Sequence, residues 1–282
     1  MGLVIAGLQH EGVLGDPAAN LALLDAAAAS AAAAGVDVLV TTEMFLTGYN
    51  LGADLDALVV RDPDAPISDI AARHGIAIVA GLPERAGTDD PGDAADGAGG
   101  ARGVFNSALF VGADGAVLAR YRKAHLFGEL DRAMFLPGDE LCPVFDYRGI
   151  RICLMICYDV EFPETVRSAA LAGADLVLVP TAQMEPFAFL AESLIRVRAW
   201  ENQVYIAYIN HTGHERGLRY VGLSSIVAPS GEVLASLGPD DSGLLMATVD
   251  AGVVADARRQ NPYLTDLRPA LYPRGATFSH QP

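Results

Sequence analysis

Leu154-Met155-Ile156-Cys157-Tyr158-Asp159-Val160-Glu161-Phe162-Pro163-Glu164 is an apolar run that stops on a cysteine and turns polar within two residues. The run begins near Ile150, so residues 150–156 read as a buried strand, and residues 165–172, closed by Gly173, read as the helix that follows. A strand that feeds directly into a helix is the repeating unit of layered α/β structures. It also leaves a thiol at a strand end, where a helix N-terminus lowers its pKa and a ligand can reach it.

The same alternation extends in both directions. The chain opens on a strand, and Asp16-Pro17, an alanine- and leucine-rich run and Gly35 supply an N-cap, a first-turn proline and a C-terminal glycine for a helix over 17–34. Residues 36–41 and 76–80 read as strands, separated by a helix over 67–74. Residues 104–111 and 116–121 form a hairpin around Ala113-Asp114-Gly115. Strands at 176–179 and 204–209 flank a helix over 188–202, and residues 224–228 and 232–237 form a second hairpin around Pro229-Ser230-Gly231. Alternation mixed with hairpins implies one α/β domain over 1–282, without tandem repeats. Within it, residues 87–103, rich in Gly, Ala and Asp, are expected to form a mobile surface loop, and 260–282 a C-terminal extension.

Composition narrows the class. Of 282 residues, 51% are apolar and 19% charged, enough for a large core. The net charge of -16 argues against binding to nucleic acid or an anionic membrane, either of which would need a basic face. No run spans a bilayer and the N-terminus lacks a signal peptide pattern, so a cytoplasmic protein is expected. The three cysteines form no disulfide framework: Cys153 is expected in the core and Cys142, before Pro143, in a loop.

Two further segments suit a cysteine nucleophile. Val38-Leu39-Val40-Thr41-Thr42-Glu43 ends an apolar run on a carboxylate, and Tyr121-Arg122-Lys123-Ala124-His125-Leu126-Phe127 delivers a lysine. A thiol is only a few per cent ionised at neutral pH, so a base and a cation must activate it.

The order Glu43, Lys123, Cys157, with the flanks E-M-F-L-T-G-Y, Y-R-K-A-H-L-F and C-Y-D-V-E-F-P-E, closely resembles the nitrilase superfamily of carbon–nitrogen hydrolases. The resemblance runs from the first strand and Gln9 to Arg268-Pro269-Ala270-Leu271-Tyr272. It implies a single-domain αββα sandwich of two mixed sheets. It also implies Glu43 as general base, Cys157 as nucleophile, and Lys123 with the Tyr158 N–H as oxyanion holders, without metal or organic cofactor. Family members carry a second glutamate eight residues after the lysine; here Asp131 stands there, with Glu129 as the rival should the loop kink. Thr42 replaces the usual proline, a change expected to alter only backbone.

The elbow resembles amidase and carbamoylase branches rather than true nitrilases. The implied substrate is a small carboxamide, with N-carbamoyl hydrolysis, and beyond it a non-catalytic scaffold, as alternatives. Tyr49, Gln183, Met184 and Asn210 are the expected substrate-binding residues, Asn210 and His211 lining the mouth with the 180–186 loop; Met184 and Phe187 could equally pack that loop. His211 and His214 are expected to be solvent-facing or at the pocket edge rather than a metal pair, His125 to support its loop, and Gly97 to Gly100 not to form a phosphate loop. The resemblance further implies a homodimer or larger homo-oligomer.

Overall fold

The computed structural model describes residues 2–60, 62–87, 103–141 and 143–271. Most of the expected loop at 87–103, the end of the expected extension at 260–282, and Cys142 lie outside the described residues. The two ends of that loop are pinned together, since the Ala86 N–H donates to the Gly103 carbonyl at 2.9 Å.

The first half of the chain builds β1 (Leu3–Gln9), α1 (Pro17–Ala33), β2 (Val38–Val40), α2 (Leu55–Leu58), α3 (Asp64–His74), β3 (Ala77–Arg85), β4 (Val104–Val111), β5 (Val117–Arg122) and α4 (Gly128–Met134). The second half builds β6 (Phe145–Tyr147), β7 (Ile150–Leu154), α5 (Pro163–Leu171), β8 (Leu176–Thr181), α6 (Ile195–Asn202) and β9 (Tyr205–Asn210). After these come β10 (His214–Glu215), β11 (Leu218–Arg219), β12 (Ser225–Val227), β13 (Val233–Ser236), β14 (Gly243–Val249), α7 (Ala251–Gln260) and α8 (Tyr263–Asp266).

Two six-stranded sheets result, ordered β14-β1-β2-β3-β4-β5 and β13-β12-β9-β8-β7-β6. In each, three consecutive parallel strands, β1 to β3 and β7 to β9, are flanked by antiparallel ones. Side chains alternate between faces with the two-residue period of a strand. Ile5, Val38, Val40, Ala77, Val79 and Phe110 share one buried cluster with Ile152, Leu154, Leu176, Leu178 and Ile209 of the other sheet. Their neighbours Ala6, Leu8, Leu39, Ile78 and Leu109 turn the other way, onto Leu24 and Ala28 of α1 and Ile67 and Ile70 of α3. Helices α5 and α6 cover the second sheet through Val166, Ala169, Ile195 and Ala199. The order helix, sheet, sheet, helix is an αββα sandwich.

The sheets meet so closely at Gly7 that a Cβ there would lie 2.1 Å from Ile209 Cδ1. Helix α1 starts as the sequence dictates, with the Asp16 carboxylate accepting the Ala19 N–H at 3.0 Å and Pro17 in the first turn. Several elements go beyond the sequence reading, among them the short α2, β6, β10, β11 and α8. Residues 128–134 fold as a helix rather than a loop, too short to show periodicity. Strand β14 and helix α7 were not anticipated, because Leu244-Leu245-Met246-Ala247 suits a helix or a strand and only the seven-residue pairing with β1 selects the strand.

Candidate active site

Glu43 lies three residues beyond β2, and Cys157 three residues beyond β7. Both strands end in a positive-φ turn, carried by Met44 (φ 51°) and by Cys157 itself (φ 44°). A non-glycine residue rarely adopts this conformation, and it clusters at functional sites. Close packing makes room for the first turn: a Cβ on Gly81 of β3 would sit 2.3 Å from the Thr42 carbonyl oxygen and 2.9 Å from Glu43 Cα. The Glu43 N–H reaches across to the Thr181 carbonyl of the second sheet at 3.3 Å, so the site straddles the sandwich seam.

Lys123 follows β5, its N–H donating to the Asn106 carbonyl at 2.8 Å. Its ammonium lies 2.7 Å from Glu43 Oε1 and 2.7 Å from Asp131 Oδ2, with all three side chains fully buried. The Asn106 amide also donates to Glu43 Oε1, at 2.7 Å. Asp131 accepts the Tyr49 hydroxyl on Oδ1 at 2.5 Å and the Phe127 N–H on Oδ2 at 2.8 Å. On the same helix, the Glu129 side chain is 97% exposed and faces Arg132. Of the two rival carboxylates, Asp131 is the one in contact with Lys123.

The Cys157 thiol faces Gln183 Oε1 at 3.9 Å, and the Ala182 N–H favours the ionised sulfur. Gln183 is also approached by the Tyr208 hydroxyl at 3.5 Å. Burial pushes the thiol well above its ordinary pKa, reinforced by the Glu43 carboxylate and opposed by Lys123 and the Ala182 N–H. Burial likewise raises Glu43, against the pull of Lys123, while Asp131 adds to the rise. For Lys123, burial acts downward, but the carboxylates of Glu43 and Asp131 outweigh it and hold the ammonium charged. The site therefore sets a buried thiol near the hydrogen-bonded row Glu43–Lys123–Asp131. Among the described residues, Glu43 Oε2 has no hydrogen-bond partner.

Several expected substrate-binding residues stand behind the site instead. Asn210 is not at the mouth: it is fully buried, accepting the Gln183 N–H on Oδ1 at 2.7 Å and donating to the Gly222 carbonyl at 2.7 Å. With both its N–H groups and one lone pair taken by backbone, this buried amide holds the loop rather than a ligand. Tyr49 is buried with its hydroxyl committed to Asp131, and Met184 packs in a buried cluster with Met44, Tyr49, Phe135 and Tyr220. Gln183 keeps its side chain at the sulfur.

His211 corrects the sequence reading more sharply. It is buried, not solvent-facing or at the pocket edge, with Nε2 2.7 Å from the Glu43 carbonyl oxygen and 3.0 Å from Thr42 Oγ1. A carbonyl only accepts, so Nε2 carries the proton, and the histidine braces the Glu43 backbone. Thr42 therefore does more than alter the backbone, since its hydroxyl joins this contact. His214 is exposed, and among the described residues no group of three His, Cys, Asp or Glu side chains is placed to hold a metal ion.

Asn106, Asp159 and Glu215 escaped the sequence reading. Asn106 carried a signal, a polar residue inside the apolar run 104–111. Glu215, buried, accepts the Tyr49 and Asn50 N–H groups at 3.0 and 2.8 Å and the Tyr220 hydroxyl at 2.7 Å, far from the chemistry in sequence. Beside the elbow, Tyr158, Phe162, His125, Leu126 and Phe135 line a cavity of about 630 Å³.

A family model for carbon–nitrogen hydrolases matches residues 4–259. The chain belongs to the carbon–nitrogen hydrolase family. It is 43% identical over 261 residues to a Pseudomonas protegens protein named "Hydrolase in pqqF 5'region", covering 91% of this chain and 86% of that one. It is 32% identical to the 2-oxoglutaramate amidase of Bacillus subtilis, over 84% of this chain and 86% of that protein. The solved amidase from Nesterenkonia sp. superposes with a TM-score of 0.82 at 37% identity, covering 95% of this chain and 94% of its own. A variant of that amidase was solved with the acetamide moiety of fluoroacetamide added covalently at the active-site cysteine. The carbon–nitrogen hydrolase described here is thus an enzyme of the amidase type, with the αββα sandwich of the nitrilase superfamily. Among its described residues no helix is long and apolar enough to cross a membrane.

Proposed function

We propose that this carbon–nitrogen hydrolase converts a small aliphatic or amino-acid-like carboxamide to acid and ammonia through a thioester on Cys157. The observation that carries the reading is the convergence of Glu43, Lys123 and Asp131, fully buried and hydrogen-bonded in a row, at the positive-φ elbow of a buried cysteine. Charges buried this deeply are costly unless each is paired, and such rows serve chemistry more often than stability.

In the proposed cycle the Cys157 sulfur attacks the amide carbon while its proton passes to Glu43. The carbonyl electron pair moves onto oxygen, where the negative charge meets the Lys123 ammonium and the Tyr158 N–H. Two of the three Lys123 N–H groups are engaged by Glu43 and Asp131, which leaves the third for the oxyanion. Tyr158 is the second residue of a helical turn over Cys157–Glu161, where an N–H has no acceptor within the turn. The tetrahedral adduct collapses as the carbon–nitrogen bond breaks and Glu43 returns its proton to the departing nitrogen. Water, deprotonated by Glu43, then attacks the thioester, and the thiol is restored. Asp131 keeps Lys123 charged and aimed, and Tyr49, Asn210 and His211 are positioning residues.

Gln183, at the sulfur, is the side chain that would meet the polar end of the acyl group. The 180–186 loop carries no arginine to grip a carboxylate, which favours neutral amides over N-carbamoyl acids. Helices α5 and α6 expose Leu171, Val197 and Trp200, with Phe187 and Phe189 beside them, a face suited to a second copy of the chain. Ammonia release from a panel of small carboxamides, with carbon dioxide followed for N-carbamoyl compounds, tests the assignment. Ammonia with carbon dioxide, and none from plain amides, would replace it by carbamoyl hydrolysis; inactivity towards both classes would remove it. Light scattering showing only monomer in a fully active sample would remove the homo-oligomer.

A further inference from the structure

We infer that Asp159 is a positioning residue that clamps the lysine-bearing segment to the cysteine elbow; the inference rests on Cys157 being the nucleophile. Asp159 is fully buried, two residues after Cys157. Its carboxylate accepts four hydrogen bonds. Oδ1 takes the His125 N–H at 2.9 Å and His125 Nδ1 at 2.8 Å; Oδ2 takes the Tyr121 hydroxyl at 2.8 Å and the Ile156 N–H at 3.2 Å.

The donors fall into two groups. Tyr121 and His125 bracket Lys123 in the first half of the chain, while Ile156 is the residue before the nucleophile. A single carboxylate therefore ties residues on both sides of the cation to the strained turn that carries the sulfur. The turn is further braced from behind, where the Arg198 guanidinium donates to the Val160 and Glu161 carbonyls at 3.1 and 2.6 Å. The His125 ring stacks on Phe162 with centroids 4.1 Å apart, closing the clamp at the elbow's far end. No other described carboxylate bonds both segments.

The clamp solves a specific problem. Lys123 is bonded to Glu43 and Asp131, both outside the elbow, and nothing in that row ties it to the sulfur. An error of about 1 Å between catalytic groups can cost ~10²-fold in rate. Asp159 sets that distance while touching neither sulfur nor substrate.

The test is Asp159→Asn in the full chain, with kcat and KM on the best amide and the pH profile of Cys157 alkylation by iodoacetamide, read by mass spectrometry. The expected result is a folded protein with kcat lowered about 10²-fold, KM little changed, and alkylation shifted to higher pH. The direction separates two causes. Removing a nearby negative charge would by itself ease ionisation and shift alkylation to lower pH, whereas moving Lys123 away from the sulfur shifts it higher.

A shift to lower pH, or unchanged kcat and alkylation in a folded variant, overturns the clamp. Tyr121→Phe and His125→Ala, each removing one bond to the Asp159 carboxylate, should shift the profile the same way by less. If Asp159→Asn does not fold, these two decide the matter, and unchanged profiles in both overturn the clamp. A wild-type protein alkylated at Cys153 ahead of Cys157 overturns the nucleophile assignment together with the clamp.

Discussion

The ends of β2 and β7 are built alike and finished differently. Each parallel strand runs three residues past its last ladder pair to a side chain of the proposed chemistry, at a positive-φ turn. At the end of β2 the carboxylate is over-determined: Glu43 Oε1 holds two bonds of 2.7 Å, and His211 bonds the Glu43 carbonyl from behind. At the end of β7, among the described residues, the sulfur's side-chain contact is to Gln183 at 3.9 Å, and the backbone rather than a strong partner fixes its place. The contrast follows from the proposed chemistry. A proton carrier must stand still through two half-reactions, whereas a nucleophile must move from van der Waals distance to a covalent bond.

The largest expected effect breaks the β7 end. Cys157→Ala should reduce turnover by about 10⁴-fold or more while leaving the melting temperature close to wild type, because one sulfur with weak contacts is lost. Cys153→Ala should leave turnover largely intact; the reverse pattern in a turnover assay would move the nucleophile.

Next comes the β2 end. Glu43→Gln should cost roughly 10³-fold in kcat, since an amide cannot carry the proton. Alkylation of Cys157 by iodoacetamide should persist and shift to lower pH, because the carboxylate is, after burial, the largest influence raising the thiol. A shift to higher pH would mean that Glu43 does not bear on the sulfur.

A smaller effect belongs to Asp131, which supports the β2 end through Lys123. Asp131→Asn should lower kcat by about 10- to 100-fold and destabilise the fold by about 3 kcal/mol, measured by urea unfolding, because a buried ammonium loses one of two counter-ions. Glu129→Gln, on the exposed face of the same helix, should change stability by no more than about 0.5 kcal/mol. Equal losses in both variants would erase the distinction between them.

The smallest effect sharpens the β7 end. Burial lifts the Glu161 carboxyl, four residues after Cys157, from 4.5 to about 7, against Lys123 and Arg198. A raised folded pKa means that the fold holds the proton more tightly than the unfolded chain. The stabilisation is complete below about 4.5 and is lost as pH rises through about 7. Glu161→Gln should therefore narrow the difference in melting temperature between mildly acidic and mildly alkaline buffer, by about a degree or two. An unchanged difference in a calorimetric comparison would show that Glu161 titrates normally.

Much of this was legible from the chain alone, for identifiable reasons. Cys157 and Glu43 ended apolar runs abruptly, and Lys123 followed an expected strand, so strand ends and candidate site residues could be read together. Helix α1 announced itself through Asp16, Pro17 and Gly35, all local signals. Helix α4 did not, because seven residues show no period, and so Asp131 and Glu129 could not be separated until one side of a helical turn faced the core and the other faced solvent. Asn210 and His211 looked like mouth residues because they follow a strand, yet both support backbone from behind.

The sequence by itself determined the layered α/β class and singled out the three residues on which the proposed chemistry rests, because hydrophobic periodicity and motif order are written along the chain. Only the tertiary structure decided the partners. Which oxygen faces Lys123, which carboxylate is buried, and how Asp159 joins residues 121–125 to the elbow depend on contacts between residues tens of positions apart. Such contacts arise when two sheets close face to face and every buried donor and acceptor must find a mate, a condition set in three dimensions and unmarked in any local stretch.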